Sequence, residues 1–203
     1  MSKQVRASAL LRAAVVALTV GIGATTAGIA QAAPVPPAPV EQLSLPDYLG
    51  TWHQLAAVPQ PFNLVCARDT KARYSLDPAG NVTVRNSCTT WTGQSNRIKG
   101  TATVVDKKTN AQLHVSFPGV PTQEDLYGPA NYVVTALGPE YSWSLVTDPQ
   151  RRSGFLLSRT PTLSKAQWTS VRSAMTKAGL NDCLFLTSPT AGGIGQIEPL
   201  CNR

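Results

Sequence analysis

Four cysteines and two histidines are the side chains of this chain best equipped for chemistry, and their spacing narrows the chemistries open to them. Cys66, Cys88, Cys183 and Cys201 include no Cys-x-x-Cys pair, and His53 and His114 are far apart in the sequence. A structural zinc site wants close pairs of ligands, so no metal is expected. No order of Ser, His and Asp marks a nucleophile activated by a base. Residues 191–195, Ala-Gly-Gly-Ile-Gly, lack the Lys and the following helix of a phosphate loop, and no cofactor is expected. An even number of cysteines in an exported chain reads as two disulfides, with three pairings open.

Export is itself read from the first residues. Lys3, Arg6 and Arg12 precede or flank an apolar run over 13–22, and Ala30-Gln31-Ala32 has the small-x-small form of a cleavage site. Residues 1–32 therefore read as a signal peptide. Their apolar core is too short for a membrane span of about 20 residues. No cysteine follows the cleavage point to accept a lipid, so free secretion is expected. Residues 33–44 form a Pro-rich arm (Pro34, Pro36, Pro37, Pro39), expected to be extended and mobile. Residues 45–188 hold one domain and 189–203 a tail.

Removing Lys3, Arg6 and Arg12 from the 18 basic residues leaves 15 against 11 acidic ones, a net charge of +4. The basic residues are scattered, with only short pairs at Lys107-Lys108 and Arg151-Arg152. With no stripe of cations among aromatics, nucleic acid is not an expected partner. The mild positive charge suits transient contact with an anionic membrane surface. A monomer is expected.

The elements that must position these residues are mostly strands. Segments 50–57, 72–76, 82–86, 101–105, 112–117, 132–137, 141–147 and 154–158 alternate or are β-branched, and turn residues such as Asp77-Pro78-Ala79-Gly80-Asn81 separate them. Short connections argue for a meander. Eight strands close into an all-β, eight-stranded antiparallel up-and-down barrel wide enough for one small ligand. One helix follows, over 164–178. Ser164 and Gln167 have the spacing of a capping box, Leu163 and Trp168 that of a hydrophobic staple, and Gly179 is the stop. Trp168, Val171, Met175 and Ala178 form a stripe that can lie against the barrel.

Several motifs occur in a telling order. They are Tyr48-Leu49-Gly50-Thr51-Trp52, then Ala72-Arg73-Tyr74-Ser75-Leu76, then Gly80-Asn81-Val82-Thr83-Val84-Arg85-Asn86. Leu113-His114-Val115-Ser116-Phe117, Tyr132-Val133-Val134, Tyr141-Ser142-Trp143-Ser144-Leu145-Val146 and Leu157-Ser158-Arg159-Thr160-Pro161 complete the set. Over residues 45–179 the chain resembles the lipocalins, and among them the bacterial lipocalins and their apolipoprotein D-like relatives. It departs from the family in the turn between the sixth and seventh strands, where Ala136-Leu137-Gly138-Pro139-Glu140-Tyr141 stands in place of a Thr-Asp turn.

The resemblance implies a small hydrophobic ligand, a lipid or metabolite, carried in the barrel. It makes Gly50, Trp52 and Arg159 structural, with the Arg159 guanidinium stacked on an indole that plugs the closed end. It places Tyr74, Asn86 and Val133 in the cavity, with Leu113, Val115 and Phe117 adding apolar wall. It favours the pairs Cys66–Cys88 and Cys183–Cys201 over a link from Cys66 to Cys201. Loops 58–65 and 119–129 are the expected gates. Two other functions are open: an isomerase-like enzyme using a barrel cysteine, for which Cys88 is the candidate, and a protein-binding or inhibitor module with a filled barrel.

Overall fold

Antiparallel pairing between consecutive segments builds the sheet in the computed structural model, which describes residues 35–203. The signal peptide and the start of the arm lie outside the described residues. Strands β1 (Gly50–Ala57), β2 (Cys66–Leu76), β3 (Val82–Thr90), β4 (Ser95–Val104), β5 (Gln112–Ser116), β6 (Tyr132–Leu137), β7 (Trp143–Thr147) and β8 (Gly154–Ser158) each pair with the next. β1 also pairs with β8, which closes an eight-stranded antiparallel barrel. A ninth, two-residue strand, β9 (Leu186–Thr187), lies against Ala56 and Ala57 of β1. Helix α1 (Leu45–Tyr48) precedes the barrel and α2 (Lys165–Lys177) follows it.

β1 pairs with β2 only over Gly50–His53, so a seam opens between these strands toward the mouth. The C-terminal tail fills it. Ser188 N–H donates to the Leu55 carbonyl at 2.8 Å, and Asp69 N–H donates to the Pro189 carbonyl at 2.8 Å. Both sides of the gap thus find backbone partners, as buried polar groups require.

Strands β2 and β4 begin earlier than their sequences indicate, at Cys66 and Ser95 rather than at 72 and 101. Their added halves lie at the mouth, where even the lumen-facing side is wet. They therefore lack the apolar alternation that marks a half-buried strand. Asp69, at φ 56°, also interrupts β2 with a register shift between Arg68 and Lys71. β7 starts at Trp143 rather than 141, because Glu140 and Tyr141 turn the chain with φ of 51° and 57°.

Two cores sit on opposite faces of one wall. Inside the closed half, Trp52, Tyr74, Val82, Val84, Leu113 and Leu157 pack together. Outside, Val171 and Met175 of α2 pack with Leu55, Leu145, Leu156 and Phe185. The pleat explains the division: in β8, Leu157 belongs to the inner cluster and Leu156 to the outer. β7 is covered on both faces and buried at all five positions.

α2 starts and stops where its sequence signals place the ends. Ser164 Oγ accepts from Gln167 N–H at 3.3 Å, and Gln167 Oε1 accepts from Ser164 N–H at 2.9 Å. At the other end Gly179 adopts φ 68°, and Leu180 N–H donates to the Met175 carbonyl at 2.9 Å. This closes the last turn with the left-handed residue that glycine best supplies.

The arm and the tail are packed rather than loose. Val40 N–H donates to the Val134 carbonyl at 2.9 Å, and Leu43 is fully buried in the inner cluster. Ile194 and Leu200 join the outer cluster. The proline content predicts an extended, mobile arm, whereas its described part is anchored to the barrel. Pro37 and, after the prolines, Leu43 are buried and hold it down.

Candidate functional site

The closed end of the barrel is built by α1 and the first residues of β1. Trp52 is fully buried, and its Nε1–H donates to the Tyr48 carbonyl at 2.9 Å. Arg159 follows β8 and lies with Cζ 3.7 Å from the centre of that indole. Its Nη1 donates to the Thr51 carbonyl at 3.0 Å and its Nη2 to the Asp47 carbonyl at 2.7 Å. Gly50 has φ 95°, and a Cβ there would stand 3.3 Å from Arg159 Nη1. The position needs both the left-handed backbone and the missing side chain.

Above this plug lies a chain of hydroxyls. Ser144 Oγ is 2.9 Å from Tyr48 Oη, which is 2.8 Å from Tyr132 Oη, which is 3.2 Å from Tyr74 Oη. The Tyr48 and Tyr74 rings stack with centres 5.7 Å apart. Burial disfavours phenolate here. It pushes Tyr74 up to about 12 and holds Tyr48 and Tyr132 well above the ordinary tyrosine range.

A cavity of about 710 Å³ extends from these tyrosines to the mouth. Its wall includes Val82, Val84, Leu113, Val115, Phe117 and Leu157, so the lining is largely apolar. Such a volume falls in the range of small-molecule pockets. Tyr74 and Asn86 line it as well. Val133 does not. Its neighbours Tyr132 and Val134 enter the inner cluster, so the pleat turns Val133 to the opposite face, where it is buried.

The mouth is framed by the loops on either side. Phe62, Asn63 and Val65 reach the cavity from the 3-10 turn Pro61–Val65. Val120, Thr122 and Gln123 reach it from the long connection 117–131. His114 anchors that connection: its Nδ1 is 2.8 Å from the Pro129 carbonyl oxygen and its Nε2 2.9 Å from that of Asp125. Cys66 and Cys88 are joined at the mouth ends of β2 and β3, and Cys183 is joined to Cys201 in the tail. The Cys88 sulfur therefore offers no thiolate to the lumen.

Two features of the site lack a clear signal in the sequence. Tyr48, Tyr132 and Ser144 meet Tyr74 from α1, β6 and β7, and no spacing links them. Only the alternation of β6, which sets Tyr132 on the same face as Val134, hints at an inward phenol. The second is a row of cations on the outer face. Register places Arg73 opposite Arg85 and Arg85 opposite Lys99, with Ser87 opposite both Lys71 and Arg97 in the next row but one. Arg73, Arg85, Arg97 and Lys99 are exposed, and no carboxylate pairs with them or with Lys71 among the described residues.

The known proteins most informative about this arrangement share the barrel. The family model described as a lipocalin-like domain matches residues 43–189. The outer membrane lipoprotein Blc of Escherichia coli K12 is 33% identical over 162 residues, covering 78% of this chain and 87% of that protein. Temperature-induced lipocalin-1 of Arabidopsis thaliana is 33% identical over 123 residues, covering 60% of this chain and 65% of the plant protein. Among solved structures, insecticyanin of the tobacco hornworm Manduca sexta superposes with a TM-score of 0.58 at 17% identity, covering 82% of this chain and 94% of that one. Lobster apocrustacyanin A1 gives 0.53 at 16% identity, covering 76% and 90%. At that identity the two structures speak for the fold alone. The match of the family model over most of the chain, on a barrel closed by Trp52 and Arg159, makes this protein a member of the lipocalin family.

Proposed function

We propose that this protein is a freely exported, monomeric carrier that holds one small hydrophobic molecule, a lipid or metabolite, in its barrel. The observation that carries the reading is the apolar cavity of about 710 Å³, open at one end and sealed at the other. A guest enters through the mouth between loops 58–65 and 117–131. Each 100 Å² of its apolar surface withdrawn from water contributes about 2.5 kcal/mol before the costs of association. All four cysteines are taken up in disulfides, which favours release over lipid anchoring and leaves Cys88 no part in catalysis. The open lumen likewise argues against a filled barrel acting only through its surface.

Native mass spectrometry of the secreted protein, followed by extraction, tests this directly. A co-purifying apolar molecule, or uptake of 1-aminoanthracene that is lost in Val84→Trp, is the expected result. A protein that emerges empty and takes up no probe would sink the reading.

The cation row favours transient contact with an anionic membrane surface. Like charges directly opposite on neighbouring strands destabilise a sheet, and Arg73, Arg85 and Lys99 stand in one such line. An anionic bilayer relieves that repulsion, at about 1 kcal/mol per cation near the surface. Co-sedimentation with phosphatidylserine vesicles should fall off with salt and be lost in R73E/R85E/K99E, while K107E/K108E retains it. Equal binding to phosphatidylcholine would remove the cations from the account.

A further inference from the structure

We infer that the guest of this barrel carries a neutral oxygen acceptor at its innermost end, bound by the tyrosine chain on the cavity floor. This rests on the carrier reading above and assigns the guest a chemical class and an orientation. The argument is a count of hydrogens. Ser144, Tyr48, Tyr132 and Tyr74 bring four hydroxyls joined by three contacts. Each hydroxyl has one hydrogen to donate. Three contacts use three of the four hydrogens, so one O–H is left over.

The two ends differ. Ser144 is fully buried in the wall, where a hydrogen without an acceptor carries a desolvation cost. Tyr74 lines the cavity, where a guest can accept. The favourable arrangement therefore spends the Ser144 hydrogen inside the chain and leaves the free one on a cavity-lining phenol, Tyr74 or Tyr132, which donates into the lumen. The last contact, at 3.2 Å, is also longer than the usual 2.7–2.8 Å of a hydroxyl pair.

The acceptor is neutral because nothing on the floor pairs a negative charge. The nearby Arg159 does not line the cavity: it lies against the Trp52 indole and donates to the carbonyls of Thr51 and Asp47. A carboxylate driven to this depth would be desolvated without a partner. Farther up the wall, Asn86 stands one inward position along β3 from Val84. Its Oδ1 is buried with no hydrogen-bond partner among the described residues. It offers a second polar contact to a guest that has already set an oxygen on the floor.

A matched pair of probes tests this: 2-acetylnaphthalene, which carries a carbonyl, and 2-ethylnaphthalene, which has the same shape without it. The ketone should bind about three- to tenfold tighter, the range of one hydrogen bond, and 2-naphthoate more weakly than the ketone. Isotope-edited infrared spectra of the bound ketone should show its carbonyl stretch at lower frequency than in alkane. Tyr74→Phe with Tyr132→Phe keeps both rings and should abolish the preference and return the stretch toward its alkane value. If that variant does not fold, the wild-type frequency alone decides. An alkane-like stretch, equal binding of the pair, or tighter binding of the naphthoate would overturn the inference while leaving the carrier reading intact. Failure of all three probes to bind would instead count against the carrier reading.

Discussion

The Arg159 guanidinium lies 3.7 Å from the centre of the Trp52 indole and at the same time donates to two backbone carbonyls of the segment that carries Trp52. One side chain thus ties the end of β8 to α1 and to the start of β1. Arg159→Met should lower stability by about 2 kcal/mol, since it loses both the cation–π contact and the charged hydrogen bonds at a partly solvated site. Arg159→Lys should recover less than half of that, because an ammonium cannot span both carbonyls while stacked. Urea denaturation of the two variants is the check, and equal stabilities would show that charge alone matters here.

The two disulfides should be separable by function. Their ends are 22 and 18 residues apart, so each contributes about 3 kcal/mol on chain-entropy grounds. C183S/C201S should expose residues 189–200 to limited proteolysis and leave guest affinity nearly unchanged. C66S/C88S should loosen the mouth and speed release of a bound probe in stopped-flow dilution. Identical proteolysis patterns would show that the tail is held without its disulfide.

Stability should fall steeply in alkali. A tyrosine whose folded value is raised keeps its proton after the unfolded chain has lost it. The stabilisation is complete below pH 10 and is lost as the pH climbs through the folded value. For Tyr74 that window is 10 to about 12. Each buried tyrosine contributes a slope of about 1.4 kcal/mol per pH unit there. Tyr48, Tyr74 and Tyr132 together should approach about 4 kcal/mol per unit. Denaturation at several values between pH 9 and 12 measures the slope, and Tyr74→Phe should reduce it by about a third.

Glu140 is held at φ 51° although it is exposed and makes no side-chain bond among the described residues. Glu140→Gly should therefore stabilise the fold by about 0.5–1 kcal/mol, through relief of a conformation costly to a residue with a Cβ. Tyr141 shares the conformation at φ 57°, but its hydroxyl accepts from Ser44 N–H at 2.9 Å. Tyr141→Gly should destabilise. Thermal melts of the two variants should move in opposite directions.

What could be read from the sequence followed local periodicity. The capped helix, the closed-end strands 72–76 and 82–86 and the meander all announce themselves within a dozen residues. What could not be read depends on pairing across long separations. The mouth halves of β2 and β4 are polar on both faces and look like loops. Tyr48, Tyr74, Tyr132 and Ser144 converge only once the barrel has closed. The resemblance implies an inward Val133, but one residue in a strand decides the side, and here Tyr132 turns inward instead. The basic residues look scattered along the chain because their row runs across the strands.

That row has a bearing on how the chain finds its structure. Side chains alternate along a strand, so a slip of one residue between β2 and β3 would swing Arg73 or Arg85 into the greasy lumen. Misaligned hairpins would have to dehydrate a guanidinium to survive. The exposed cations therefore disfavour near-miss alignments of the meander.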